Sequence, residues 1–112
     1  MEQDYMVLGS VAAKKLFDLG IYPTQDAFWQ ILAGVEILSG SPSMLANAKK
    51  LLYPAIAKKC ECSEHAVDCS LRRSIKKAWE QGTIPTAKRP TNAEFFAMLM
   101  VELAEADITS TC

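Results

Sequence analysis

Residues 51–79 read LLYPAIAKKCECSEHAVDCSLRRSIKKAW, and this stretch decides the fold. Pro54 suits the first turn of a helix, where its missing N–H is not needed, so a helix is expected over 53–59. Glu61-Cys62-Ser63 is a turn. Ser63 can cap the next helix by accepting a hydrogen bond from a free backbone N–H. That helix is expected from Glu64 to about Gln81, with Gly82 as its stop. Ile56, Ala57, Val67 and Leu71 have the apolar spacing of a helix-turn-helix. Ala57 is the small residue needed where the second helix crosses closely, and Val67 fills the crossing.

The second helix divides into two faces. Val67, Leu71, Ile75, Ala78 and Trp79 form its apolar side. At about 100° per residue, His65, Cys69, Arg72 and Lys76 share a wedge roughly opposite, a surface that could enter a major groove about 12 Å wide. Charge supports the same reading. From Lys49 to Arg89 there are ten Lys and Arg against four Asp and Glu, a net of +6; the rest of the chain has two against nine, a net of −7. The overall charge of −1 thus hides a basic middle between acidic ends. A phosphate backbone responds to the local field, not to the sum.

At 112 residues, half of them hydrophobic, the chain is expected to form a single domain over 1–112. No apolar run approaches the roughly 20 residues that span a bilayer, and no signal-peptide pattern is present; the expected location is the cytoplasm, with no membrane partner. The four cysteines, Cys60, Cys62, Cys69 and Cys112, are then expected as reduced thiols. Cys60, Cys62, His65 and Cys69 form a C-x-C-x2-H-x3-C run, but its first gap is shorter than the usual zinc spacing. Structural thiols, with Cys60 packed under the turn, are the preferred reading. Neither a metal nor a cofactor is expected. Redox sensing by Cys69, beside Arg72 and Arg73, is a lesser alternative.

The remaining sequence reads as helix throughout, without strand pattern or repeat. Tyr5, Leu8, Val11, Ala12, Leu16 and Leu19 make a first amphipathic helix, ended by Gly20. Thr24 is the expected cap of a second helix reaching about Leu38. Gly34 inside it either costs about 1 kcal/mol relative to Ala or admits another helix. Ser39-Gly40-Ser41-Pro42 is a break, and 43–50 a short third helix or the start of the next. A loop over 83–90 ends in Lys88-Arg89. The last helix, capped by Thr91 or Asn92, is expected to run to about Ala106. Trp29, Trp79, Phe95 and Phe96 are expected core anchors, with Met44, Met98 and Met100 as filler. The fold class is therefore all-α, a compact five- to six-helix bundle with a helix-turn-helix at about 53–81.

At these residues the sequence resembles the C-terminal DNA-binding effector domain of the master sporulation response regulator of spore-forming Firmicutes. The matching blocks are LLYPAIAKK (51–59), R-x-x-I-x-x-A-W at Arg72, Ile75, Ala78 and Trp79, and a run at Lys88, Pro90, Thr91, Asn92, Glu94, Phe95, Ala97 and Met98. The resemblance extends from about Asp4 to about Ala104, weakly before Gly40. It implies a six-helix bundle whose second helix-turn-helix helix enters the major groove of a purine-rich box, with homodimers on tandem sites. Three departures stand out. The chain starts about where the effector would start, which implies a stand-alone effector lacking the receiver. Ala66 and Cys69 occupy positions where the family carries arginines, leaving His65 or Arg73 as candidate base readers. The segment between Gly82 and Lys88 is shorter than its family counterpart, which contributes to RNA polymerase contacts; a polymerase contact is therefore doubtful.

The expected function is sequence-specific binding of double-stranded DNA and transcription regulation, of sporulation-related genes by resemblance. Arg72, Arg73, Lys76 and Lys77 are candidate phosphate or base contacts, with His65, Asp68 and Cys69 on the groove side. Lys58, Lys59, Lys88 and Arg89 are candidate phosphate clamps. Ser63 can offer its hydroxyl, or its helix N-terminus, to a phosphate. The alternative is a protein-interaction module that pairs with a full-length sporulation regulator. An enzyme is not expected: there is one His, no Gly-rich phosphate loop and no nucleophile–base set.

Overall fold

Apolar side chains recurring every three or four residues give helix after helix. The computed structural model describes residues 11–111, with side chains through residue 105. Its helices are α1 (11–18), α2 (Asp26–Gly40), α3 (Tyr53–Cys60), α4 (Glu64–Glu80) and α5 (Asn92–Thr111). A 3-10 segment, Pro42–Asn47, and one π turn, Ala48–Leu52, link α2 to α3. No strand occurs among the described residues. The expected all-α bundle is thus present. Tyr5, Leu8 and Cys112 lie outside the described residues.

The helix-turn-helix forms where the sequence places it. After α3 the chain reverses through Glu61 in the left-handed region (φ 56, ψ 49), and the Cys62 N–H reaches the Ala57 carbonyl at 2.9 Å. This closes the helix end in the manner of a Schellman turn. The Ser63 hydroxyl then accepts from the Ala66 N–H at 3.0 Å and caps α4. Replacing Ser63 by Ala should cost about 1 kcal/mol, seen in urea unfolding as a lower midpoint with an unchanged slope. At the far end, Gly82 takes φ +81. Only glycine adopts that angle freely, so α4 stops there.

Several expectations are corrected. Thr24 is not the cap of α2: the residue before the helix is Gln25, with no side-chain cap bond. The Gln25 Oε1 instead accepts from Ser74 Oγ at 3.0 Å and ties α2 to α4. The break comes later than expected, because α2 continues through Gly40. The 43–50 stretch is not an ordinary helix. Pro54 lacks an N–H and its ring crowds the carbonyl four residues back; ahead of it the ladder widens, and the Tyr53 N–H bonds to Ala48 O. The last helix outruns its expected end, to Thr111.

The core is one cluster drawn from all five helices, from Leu19 and Ile21 after α1, from Ala48 and Leu52 in the π turn, and from Ile84 in the loop before α5. Phe95 and Phe96 are fully buried at its centre. Trp29 is not a core anchor: it is 56% exposed. It sits one residue, about 100°, beyond the buried Phe28, meets that ring edge-on at 5.1 Å, and donates its Nε1–H to the Pro23 carbonyl at 2.9 Å. Trp79 is half-buried and donates to Thr86 O at 3.1 Å, which pulls the loop back onto α4. No helix among the described residues is long and apolar enough to cross a membrane.

Candidate nucleic-acid interface

The outer face of α4 is set by what its inner face buries. Val67, Leu71, Ile75 and Ala78 are in the core, which turns His65, Arg72, Arg73, Lys76 and Lys77 to solvent. The Arg72 side chain is 63% exposed. Cys69 is half-buried on the same side, its Sγ 3.4 Å from His65 Nε2. Ser63 is exposed at the N-terminal end of the helix, although its hydroxyl already accepts from Ala66.

Two clefts flank this face. One, of about 490 Å³, gathers Arg72 from α4, Arg89 from the loop and Lys49 from the π turn, with Asp68 and Asn92 in its wall. The other, of about 300 Å³, gathers Arg73 and Lys77 beside Gln25 and Asp26 at the start of α2. The fold therefore sends Arg72 and Arg73, adjacent in sequence, to opposite flanks of one ridge. Lys49 is the site residue that spacing alone missed. Its only sequence signal is membership in the basic block, because its approach to Arg72 depends on the π turn.

The candidate clamps do not all behave alike. Lys58, Lys88 and Arg89 are exposed. Lys59 is drawn the other way, its Nζ 2.7 Å from the Glu36 carboxylate on α2. That pair borders a separate cleft of about 720 Å³ lined by Trp29, Gln30, Cys60 and Cys62. Burial, together with the neighbouring Cys62, raises the Cys60 thiol above its ordinary value. Among the described residues, no group of three or more His, Cys, Asp or Glu side chains is placed to hold a metal ion.

Asp68 differs most from its expected role. Its carboxylate has little free edge: Oδ2 takes Arg72 at 2.7 Å and Oδ1 takes Asn92 Nδ2 at 3.2 Å. Asn92 is buried at the start of α5, and its Nδ2 also donates to the Tyr53 hydroxyl at 2.9 Å. Burial pushes the Tyr53 phenol above its ordinary value, and the Asn92 bond acts against that shift. The start of α5 is itself held by a reciprocal cap. Thr91 N–H donates to Glu94 Oε1 at 2.9 Å, and Glu94 N–H donates to Thr91 Oγ1 at 3.1 Å. The Thr91 backbone N–H, then its hydroxyl, hold the Glu94 carboxyl below its ordinary range.

An exposed helix with an N-terminal serine cap, a cationic ridge and a cation-lined notch on each flank is what a duplex needs from a protein: donors for phosphates, and a projecting element narrow enough for a groove. Residues 13–103 match the family described as "Sporulation initiation factor Spo0A C terminal", and the chain belongs to that family of DNA-binding effector domains.

Proposed function

We propose that this chain binds double-stranded DNA by placing α4 in the major groove and thereby regulates transcription, with sporulation-related genes as its targets. The family is regulatory, not enzymatic. One observation carries the finer reading: Arg72, Arg73, Lys76 and Lys77 all stand exposed on α4, while Val67, Leu71, Ile75 and Ala78 of its apolar side are buried in the core. Arg72 and Lys76 face the groove floor. Arg73, Lys77, Lys88, Arg89 and Lys49 reach the phosphates on either side, and Lys58 extends the contact along α3. His65 and Cys69 line the approach of the first turn to the bases, and Ser63 presents that turn to a phosphate. The whole chain acts as one domain in the cytoplasm, and two copies sit on tandem sites.

Selection of bound sequences from random duplex DNA, followed by titration of the selected duplex, tests this. An arginine gripping guanine O6 and N7 is worth about 1–3 kcal/mol, so Arg72→Ala should weaken binding by about 5- to 150-fold. Lys14→Ala, on α1, should leave it unchanged. Equal binding by both variants would remove α4 as the reader.

A second reading, pairing with a full-length sporulation regulator, is favoured by the absence of any cation at Ala66 and Cys69. It predicts no DNA retention at low salt and a heterodimer on mixing with that regulator.

A further inference from the structure

We propose that Asn92 is a positioning residue for Arg72: from the start of α5 it locks the Asp68 carboxylate, which in turn aims the Arg72 guanidinium outward from α4. The inference rests on the reading of α4 as the DNA-facing helix. It adds that base discrimination depends on a buried residue of another helix that does not itself reach the duplex.

The geometry runs through four side chains on three helices. Tyr53 (α3) and Asp68 (α4) both lie against the Asn92 carboxamide, at 2.9 Å from its hydroxyl and 3.2 Å from Oδ1, and the backbone carbonyl of Asp68 is 3.4 Å away. The orientation of the amide follows from chemistry. Carboxylate and carbonyl oxygens accept only, so the NH₂ end must face Asp68, and its two hydrogens match Tyr53 on one side and Asp68 on the other. Asn92 is 8% exposed, so these bonds form out of competition with water. With Oδ1 held by Asn92 the carboxylate plane is set, and the far oxygen of Asp68 holds Arg72 at 2.7 Å.

Two consequences follow for recognition. A free Asp on a recognition helix can accept from cytosine N4, but here the carboxylate is shared between Asn92 and Arg72, so Asp68 acts through Arg72. A free arginine is also rich in rotamers, and its planar fork gains most when it is pre-organised. The bond to Asp68 engages one guanidinium nitrogen and leaves the remaining N–H donors for guanine O6 and N7. The same network lines the cleft that holds Arg89 and Lys49, so the aimed guanidinium sits beside the cations that would grip the backbone.

The test is a double-mutant cycle on the full chain, with a duplex recovered by selection as the probe, and with NMR relaxation of the Arg72 side-chain Nε–Hε in free protein as a second readout. In the unaltered protein, Arg72→Ala should weaken binding about fivefold or more, and Arg72 should be ordered. In an Asn92→Ala background, Arg72→Ala should weaken binding less than about threefold, with the Arg72 side chain mobile and discrimination against a single-base variant of the duplex reduced. Asp68→Asn, which removes the charge without removing the shape, should reproduce the loss of order and discrimination should Asn92→Ala not fold. An equal loss from Arg72→Ala in both backgrounds, or an Arg72 that stays ordered without Asn92 or without the Asp68 charge, overturns the positioning role while leaving α4 as the reader. No loss from Arg72→Ala in the unaltered protein overturns both.

Discussion

Phe96→Ala should destabilise the protein by about 3–5 kcal/mol, as expected for truncating a fully buried aromatic. Against a total of roughly 5–15 kcal/mol for a domain of this kind, that is a large fraction. At roughly 4–8 °C per kcal/mol for a chain near 100 residues, the Tm should fall by at least about 12 °C. The size of the effect comes from what the ring touches. Phe96 is fully buried, and it packs on bare backbone at Gly34 of α2. A Cβ at Gly34 would lie 2.6 Å from Phe96 Cε1, 2.7 Å from Cζ and 3.1 Å from Ile56 Cδ1. The glycine leaves room for the Phe96 ring of α5 and the Ile56 side chain of α3, which occupy the space a Cβ would need. Gly34→Ala should therefore lose stability even though Ala is the better helix former by about 1 kcal/mol. Overpacking costs about 1–3 kcal/mol, and a fully buried ring has nowhere to swing, which puts the cost toward the upper end; after the helix gain of about 1 kcal/mol, the net loss should reach up to about 2 kcal/mol. Combining Gly34→Ala with Phe96→Leu should cost less than the two changes summed, since residues in contact couple. Thermal or urea unfolding of the three variants checks this. A Gly34→Ala protein more stable than the original would mean that α2 and α5 are not in contact there.

The affinity for duplex DNA should fall by about three orders of magnitude between roughly 50 and 200 mM salt, the loss expected when about six phosphates are neutralised. The candidates are Lys49, Lys58, Arg73, Lys77, Lys88 and Arg89, all exposed. The structure separates them from Lys59, whose charge is engaged by Glu36 of α2. Lys88→Ala should lower the slope of log K against log salt by about 1. Lys59→Ala should leave it unaltered. Fluorescence anisotropy over a salt series reads both slopes directly. A flat salt dependence would show that the cationic ridge does not meet a phosphate backbone, and equal slope changes at Lys59 and Lys88 would show that the Lys59–Glu36 pair opens on binding.

Most of the helix-turn-helix was legible because its determinants are local. A proline at the first turn of α3, a serine three residues before the N–H it caps, an apolar stripe on α4 and a glycine at positive φ each act within a few residues of themselves. The all-α class followed for the same reason, and so did the exposure of Arg72 and Lys76: once Val67, Leu71 and Ile75 are inward, the opposite side of the helix must face out. Errors fell where the deciding interaction was not local. The cap position falls to Gln25 and not to Thr24, and the Gln25 side chain is engaged by Ser74, 49 residues away. Trp29 read as a core residue by type but lies off the buried stripe of α2. The 43–50 segment read as helix by composition, yet Pro54 sets its hydrogen-bond register from outside.

The chain by itself thus determined the helices, the turn, the basic ridge and the family, because each is written in spacing and residue type over short distances. Only the tertiary structure decided which charges are available. Lys49 joins Arg72 and Arg89 in one cleft, Lys59 is turned toward Glu36, and Asp68 is held between Asn92 and Arg72. The physical reason is that a charge acts through distance and burial, and both are set by how α2, α3 and α5 pack around α4, not by position along the chain.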